Sequence, residues 1–164
     1  MHNPLGAEHP APDHSPLWNQ TMLPSAQTHP EFYAGVAPKR LFAWVIDMVI
    51  IMIIGAILTP FTAFAAVFFF PLFVAIVGFM YRVITLSNGS ATLGMRVMSI
   101  ELRQADGSKL EFISAVLHTT GLYVSFALPI VQFISMLMMA SQPTGKGVTD
   151  LILGTVMINK TSSM

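Results

Sequence analysis

Three stretches of the chain run almost without charge, and polar, turn-rich segments separate them. The first is 41–58, which opens behind Arg40 and is interrupted only by Asp47. After the uncharged break Thr59-Pro60-Phe61-Thr62 a second run extends over 63–81, with Pro71 inside it. The third, 113–140, has 28 residues without a permanent charge. About 20 residues of helix cross ~30 Å of hydrocarbon, so each run is a candidate membrane span. The short link predicts that the first two form an antiparallel hairpin. A single helix over 113–140 would be ~42 Å long, more than the hydrocarbon needs. Either it is one tilted, kinked span or it breaks at Pro129 and turns back. Length favours the first reading.

Between the second and third runs the period changes. Ile100-Glu101-Leu102-Arg103 alternates, Asp106-Gly107 is a two-residue turn signal, and Lys109-Leu110-Glu111-Phe112 alternates again. This predicts a small cytoplasmic β-hairpin over 99–112. Thr155-Val156-Met157-Ile158-Asn159 has strand-like residues and is a candidate third strand. Residues 1–38 hold seven of the 11 prolines and four of the five histidines (2, 9, 14 and 29). Proline at this density continues neither helix nor sheet ladder, so 1–32 is read as a disordered Pro/His-rich cytoplasmic tail. It has no basic n-region with an apolar core, so it does not read as a signal peptide. The histidine spacings match no ligand motif, and no metal or cofactor is implied.

Composition agrees with lipid as the main solvent. Only 10% of residues are charged and 54% are hydrophobic, against about 25% charged in a soluble domain. Eight basic residues balance eight acidic ones, which argues against a nucleic-acid partner, and the absence of Cys excludes disulfides and thiolate catalysis. No metal cluster, P-loop or nucleophile elbow is present, so an enzyme is not expected. Lys39, Arg40, Arg82, Arg96, Arg103 and Lys109 all flank the first hairpin on one side, and none lies in the 59–62 turn. The positive-inside rule puts that side, with the N-terminus, in the cytoplasm. A returning third segment would keep all eight basic residues there; a single span would send Lys146, Asp150 and Lys160 outside.

Asp47 is the anomaly. A charge inside such a run costs roughly 2.5–3.5 kcal/mol and marks a functional or structural site. Arg40 lies seven residues earlier on the same face, ~10 Å along the axis, and helix side chains lean toward the N-terminus. A direct bridge between the two is awkward. Each needs a partner elsewhere, with Arg82, Arg96, His118 and Asp150 as candidates. In the third run Ser114, His118, Gly121, Ser125, Pro129 and Gln132 recur at steps of three and four, a face of small and weakly polar residues suited to helix packing in lipid. The sharper alternative has His118 facing Asp47 in an ion route.

The stretch from Tyr33 to Asp47 (Tyr-Ala-Gly-Val-Ala-Pro-Lys-Arg-Leu-Phe-Ala-Trp-Val-Ile-Asp) resembles the opening of the RDD family of small bacterial membrane proteins. Ser90-Ala91-Thr92-Leu93-Gly94-Met95-Arg96 is similar to that family's Gly/Thr/Gly segment, and Asp150-Leu151-Ile152-Leu153-Gly154-Thr155-Val156 to its C-terminal motif. The resemblance covers about 33–160 and implies that Arg40, Asp47 and Asp150 are the defining trio, with His118, Arg82, Arg96, Thr92 and Gly94 as contributors. The chain departs from the pattern at Met95, where lysine is common, and at Ser99, where glycine is common. Only His118 follows Phe112, where many relatives carry an arginine.

The expected fold is an all-α integral membrane protein, a helical bundle of three apolar segments within a 33–160 membrane domain, multi-pass in the bacterial inner membrane. Two functions are open. In the first the protein transports a small cation or solute, with Asp47 as the intramembrane ionisable site. In the second it is a non-transporting scaffold or accessory subunit, with Arg40, Asp47 and Asp150 as a structural polar network. The expected partners are the lipid bilayer and a second copy or another membrane protein.

Overall fold

The computed structural model describes Leu23 and residues 25–160. Among the described residues two helices are long and apolar enough to cross a membrane, or three if a bent helix pair further along counts as one span. The first, α1 (Val36–Leu58), starts behind Gly35, whose φ of +67° suits a residue without Cβ. Tight turns at Thr59–Thr62 and Ala65–Val67 follow. The second, α2, runs Phe70–Gly89 and not 63–81 as expected. Two causes move it. Ala63 and Phe64 sit at positive φ, which a helix cannot accommodate. Pro71 lies in the first turn, where its missing N–H costs nothing, and not in the interior as a kink. The polar residues 82–89 therefore belong to the helix.

The third apolar run is two helices. α4 (Phe112–Ala127) and α5 (Pro129–Ser141) are bent by 115° at Leu128. Here α3 denotes the short helix Leu93–Val97 that precedes them. Proline cannot donate to the carbonyl four residues back and its ring collides there, so the chain breaks at Pro129. The single span that length favoured is replaced by a returning pair. A short helix α6 (Val148–Leu153) and a strand β2 (Thr155–Asn159) follow.

β2 pairs antiparallel with β1 (Ile100–Gln104), from Ile100 opposite Asn159 to Gln104 opposite Thr155. The expected 99–112 hairpin is thus corrected. Its turn forms, with the Ser108 N–H donating to Asp106 Oδ1, but its second arm contributes a single bridge, Lys109 to Arg103. The physical reason is burial. Val156, Met157 and Ile158 are apolar on both faces of β2. Met157 joins Ile100, Leu102 and Leu110 in the main core, while Val156 and Ile158 pack on Phe32 and Tyr33. In the arm 109–112 only Leu110 is buried, and Phe112 is exposed at the start of α4.

That packing includes the last residues of the 1–32 segment. Residues 1–22 and 24 lie outside the described residues. The last part of the segment has a turn at Pro30–Phe32, with Phe32 buried. Asn159 Nδ2 donates to the carbonyls of Glu31 and Ala34, both at 2.9 Å.

The result is a bundle of α1, α2 and α4, capped at one end by α3, the two-stranded sheet and α6. Outside this cap the helices show apolar surface outward: Leu41, Val45, Met52 and Ile53 on α1, Leu72 and Ile76 on α2, Ile130 and Phe133 on α5. Of the small-residue face on the third run, Gly121 packs so closely on Thr149 of α6 that a Cβ would lie 2.5 Å from its Cγ2. His118 and Ser125 are buried beside it. This is the packing role expected of that face.

Candidate functional site

Two buried carboxylates organise the capped end, each held by donors from several elements. Asp47, on α1, is fully buried. Its Oδ1 accepts from Tyr81 Oη of α2 at 2.7 Å and from the Gly94 N–H at 2.9 Å. Its Oδ2 accepts from Thr92 Oγ1 at 2.7 Å and lies 3.5 Å from Arg82 Nη1. Thr92 is the N-cap of α3 and also receives the Met95 N–H. The carboxylate therefore pins the start of α3 onto α1, where free N–H groups favour a negative charge. Gly94 is required by this contact: a Cβ would collide with the Ala43 carbonyl oxygen and come within 2.8 Å of Asp47 Oδ1.

Asp150, on α6, is the second centre, also fully buried. Its Oδ2 takes Arg40 Nη1 at 2.5 Å and the Gly147 N–H at 3.0 Å. Its Oδ1 is 3.0 Å from His118 Nε2 of α4 and takes Thr155 Oγ1 at 3.2 Å. Arg40 Nη1 also donates to the Gly145 carbonyl. Burial alone would raise the Asp150 carboxyl. The Arg40 guanidinium and the His118 ring outweigh it and hold the group well below the usual carboxylate range.

The structure thus separates the trio into two clasps. Arg40 and Asp150 meet across 110 residues, Asp47 meets Arg82, and Arg40 and Asp47 are not bonded to each other. His118 contacts Asp150 and not Asp47, as the ion-route alternative would have it. Thr92 and Gly94 sit at Asp47. Arg96 joins neither carboxylate among the described contacts and covers Gly89. Tyr81 escaped sequence reasoning. Its signal was a phenol next to Arg82 in an apolar helix, where the hydroxyl needs a buried acceptor. Thr155 and Gly147 carried no such signal, because only the tertiary arrangement brings them to Asp150.

Both clasps border one small cavity of about 80 Å³, lined by Arg40, Asp47, Arg82, His118, Thr119 and Trp44 among others. Every oxygen of the two carboxylates is engaged by donors. The unpartnered buried atoms at the cavity among the described residues are Arg82 Nε and Nη2, Trp44 Nε1 and Thr119 Oγ1. No group of His, Asp or Glu among the described residues has the geometry to hold a metal ion.

Comparison with known proteins gives one match. The model of the RDD family matches residues 33–154. No curated protein and no solved structure matches.

Proposed function

The chain belongs to the RDD family, and on that premise we propose that it is a multi-pass protein of the bacterial cytoplasmic membrane, acting as a scaffold or accessory subunit without an enzymatic activity. In this reading Arg40, Asp47 and Asp150 form a structural polar network and carry no ion. One observation supports it above the others: all four carboxylate oxygens of Asp47 and Asp150 already accept from protein donors. A cation carrier needs free carboxylate lone pairs facing its path; these face N–H and O–H groups. The exposed apolar faces of α1, α2 and α5 suit lipid or a partner helix. The placement of the basic residues supports a cytoplasmic cap. Arg40, Arg82, Arg96, Arg103 and Lys109 lie in or beside it, and Lys39 Nζ donates to Asn159 Oδ1 of β2. Because β2 returns to β1, the C-terminal segment lies at the same end.

Cation-dependent proton flux in inverted vesicles tests the proposal, with wild type compared at matched abundance with vesicles lacking the protein. The expected result is no difference across Na⁺, K⁺ and Li⁺. Flux that disappears in Asp47→Asn while the protein stays in the membrane would establish the carrier reading instead. A reporter fused after Lys160 is expected to be cytoplasmic.

A further inference from the structure

Two features that the polar network does not use lie side by side. The first is the cavity between the clasps, with its inventory of buried donors. The second is an apolar cleft of about 270 Å³ between α1, α2 and α4. Its walls are Met48 and Ile51 on α1, Val74 and Gly78 on α2, and Tyr123 and Phe126 on α4. Arg82, Trp44 and Leu122 belong to both spaces and form the partition between them. On α2 the cleft follows one face from Pro71 through Val74, Ala75 and Gly78 to Arg82, a distance of ~16 Å at 1.5 Å per residue. It is a mostly apolar slot with the buried Arg82 at its capped end, crossed by the Tyr123 hydroxyl that donates to the Ala75 carbonyl.

That guanidinium is not spent. Arg82 is 4% exposed, and only Nη1 faces Asp47, at 3.5 Å. Its Nε and Nη2 have no partner among the described residues. These two nitrogens form the edge that presents parallel N–H bonds, the geometry that matches a carboxylate in bidentate fashion. Trp44 Nε1, on the same partition, is a further donor without a partner, and Thr119 Oγ1 lies across the small cavity. Three of these four atoms can only donate, so the missing ligand is an acceptor. Leaving such donors buried and unpaired costs roughly 1–3 kcal/mol each, more for a charged group. Water could satisfy part of this need, but it brings no negative charge to the fork and has no use for the cleft. The carboxylates nearby are saturated, which leaves nothing to attract a cation.

We propose that the α1–α2–α4 cleft binds a single-chain amphiphile with a carboxylate head, the head on the Nε–Nη2 edge of Arg82 and the chain along Met48, Ile51, Val74 and Gly78. A free small carboxylate would share the head chemistry but would leave the apolar slot empty. Trp44, stacked on Phe126 at 5.8 Å, closes the side of the site. The proposal is independent of the polar-network reading, because Arg82 meets Asp47 through Nη1 alone.

The experiment uses the full chain in lipid nanodiscs with Trp18→Phe, which leaves Trp44 as the sole tryptophan. Brominated decanoate is titrated, and quenching of Trp44 is followed against brominated decanol, which has the same tail and no charge. Decanoate is expected to quench saturably and at least ten-fold more tightly than the alcohol. Arg82→Lys, which keeps a positive charge beside Asp47 but lacks the fork, is expected to lose that ten-fold preference while its circular dichroism melting curve stays near wild type. Unbrominated decanoate should displace the probe, and acetate at the same concentration should not. Equal quenching by acid and alcohol, an unchanged preference in Arg82→Lys, or displacement by acetate as effective as by decanoate would each overturn the proposal. None of these outcomes bears on whether the protein moves cations.

Discussion

Asp47→Asn separates a clasp from a carrier by its energetic signature. The asparagine keeps one carbonyl oxygen, which can still accept from Tyr81 and Gly94. Its amide nitrogen replaces Oδ2 and meets Arg82 Nη1, two donors face to face, 3.5 Å apart in the native pair. Both side chains of that pair are at most 5% exposed. Removing one partner of a buried ion pair costs roughly 3–5 kcal/mol, and the long separation here puts this site near ~3. The Thr92 hydroxyl, which donates to Oδ2, then faces the amide nitrogen and has to turn from donor to acceptor, which adds about 1 kcal/mol. The expected loss is therefore about 4 kcal/mol, a large share of the ~5–15 kcal/mol that stabilises a typical domain. The double variant Asp47→Asn/Arg82→Gln removes the orphaned charge as well and should recover ~2 kcal/mol, a coupling that independent sites would not show. Denaturant unfolding of the purified protein in detergent, followed by circular dichroism, measures both. A loss under ~1 kcal/mol in the single variant, or a double variant no more stable than the single, would refute the clasp.

Other expectations test other parts of the fold. Ser99→Gly should stabilise the protein by about 1 kcal/mol in the same unfolding assay, because Ser99 sits at φ +54°, where only glycine escapes the Cβ penalty. Gly94→Ala should destabilise by roughly 1–3 kcal/mol, since its methyl has to push α3 off the Ala43 carbonyl and disturb the bonds of Asp47. The Asp150 carboxyl is held below its unfolded value of about 3.9, so its ionisation stabilises the fold. That contribution should be complete at neutral pH and shrink as the pH falls below ~4. Asp150→Asn should therefore flatten the acid limb of stability measured from pH 7 to 3.

The departures from expectation share a cause. Lys109-Leu110-Glu111-Phe112 and Val156-Met157-Ile158 both read as strand segments, but only the second buries apolar residues on both sides of the sheet, and the sequence does not say how many sides will be covered. Pro71 and Pro129 both lie within apolar runs. Both lie in the first turn of a helix; what precedes differs, two tight turns before Pro71 and, before Pro129, the helix α4, to which α5 is bent by 115°. The apolar runs themselves, the hairpin of the first two and the polar end were legible because hydrophobic patterning is local along the chain. The family resemblance singled out Arg40, Asp47 and Asp150 as a trio but assigned none of them a partner; the structure places all three at the capped end.

By itself, then, the sequence determined which segments are apolar enough to cross a membrane. Runs of 18 and more residues that are almost wholly apolar, in a chain with 10% charge, have the length and composition of membrane-crossing helices, and one buried Asp in the first run demands donors. Which donors was a tertiary matter. Asp47 finds Tyr81, Thr92 and Gly94 between 34 and 47 residues away, and Asp150 finds Arg40 across 110, distances over which residue type carries no information about contact. The break at Leu128 decides the rest. By sending the chain back to the polar end it lets β2 pair with β1 and Asp150 reach Arg40 and His118, so that Asp47 and the two partners of Asp150 line one cavity.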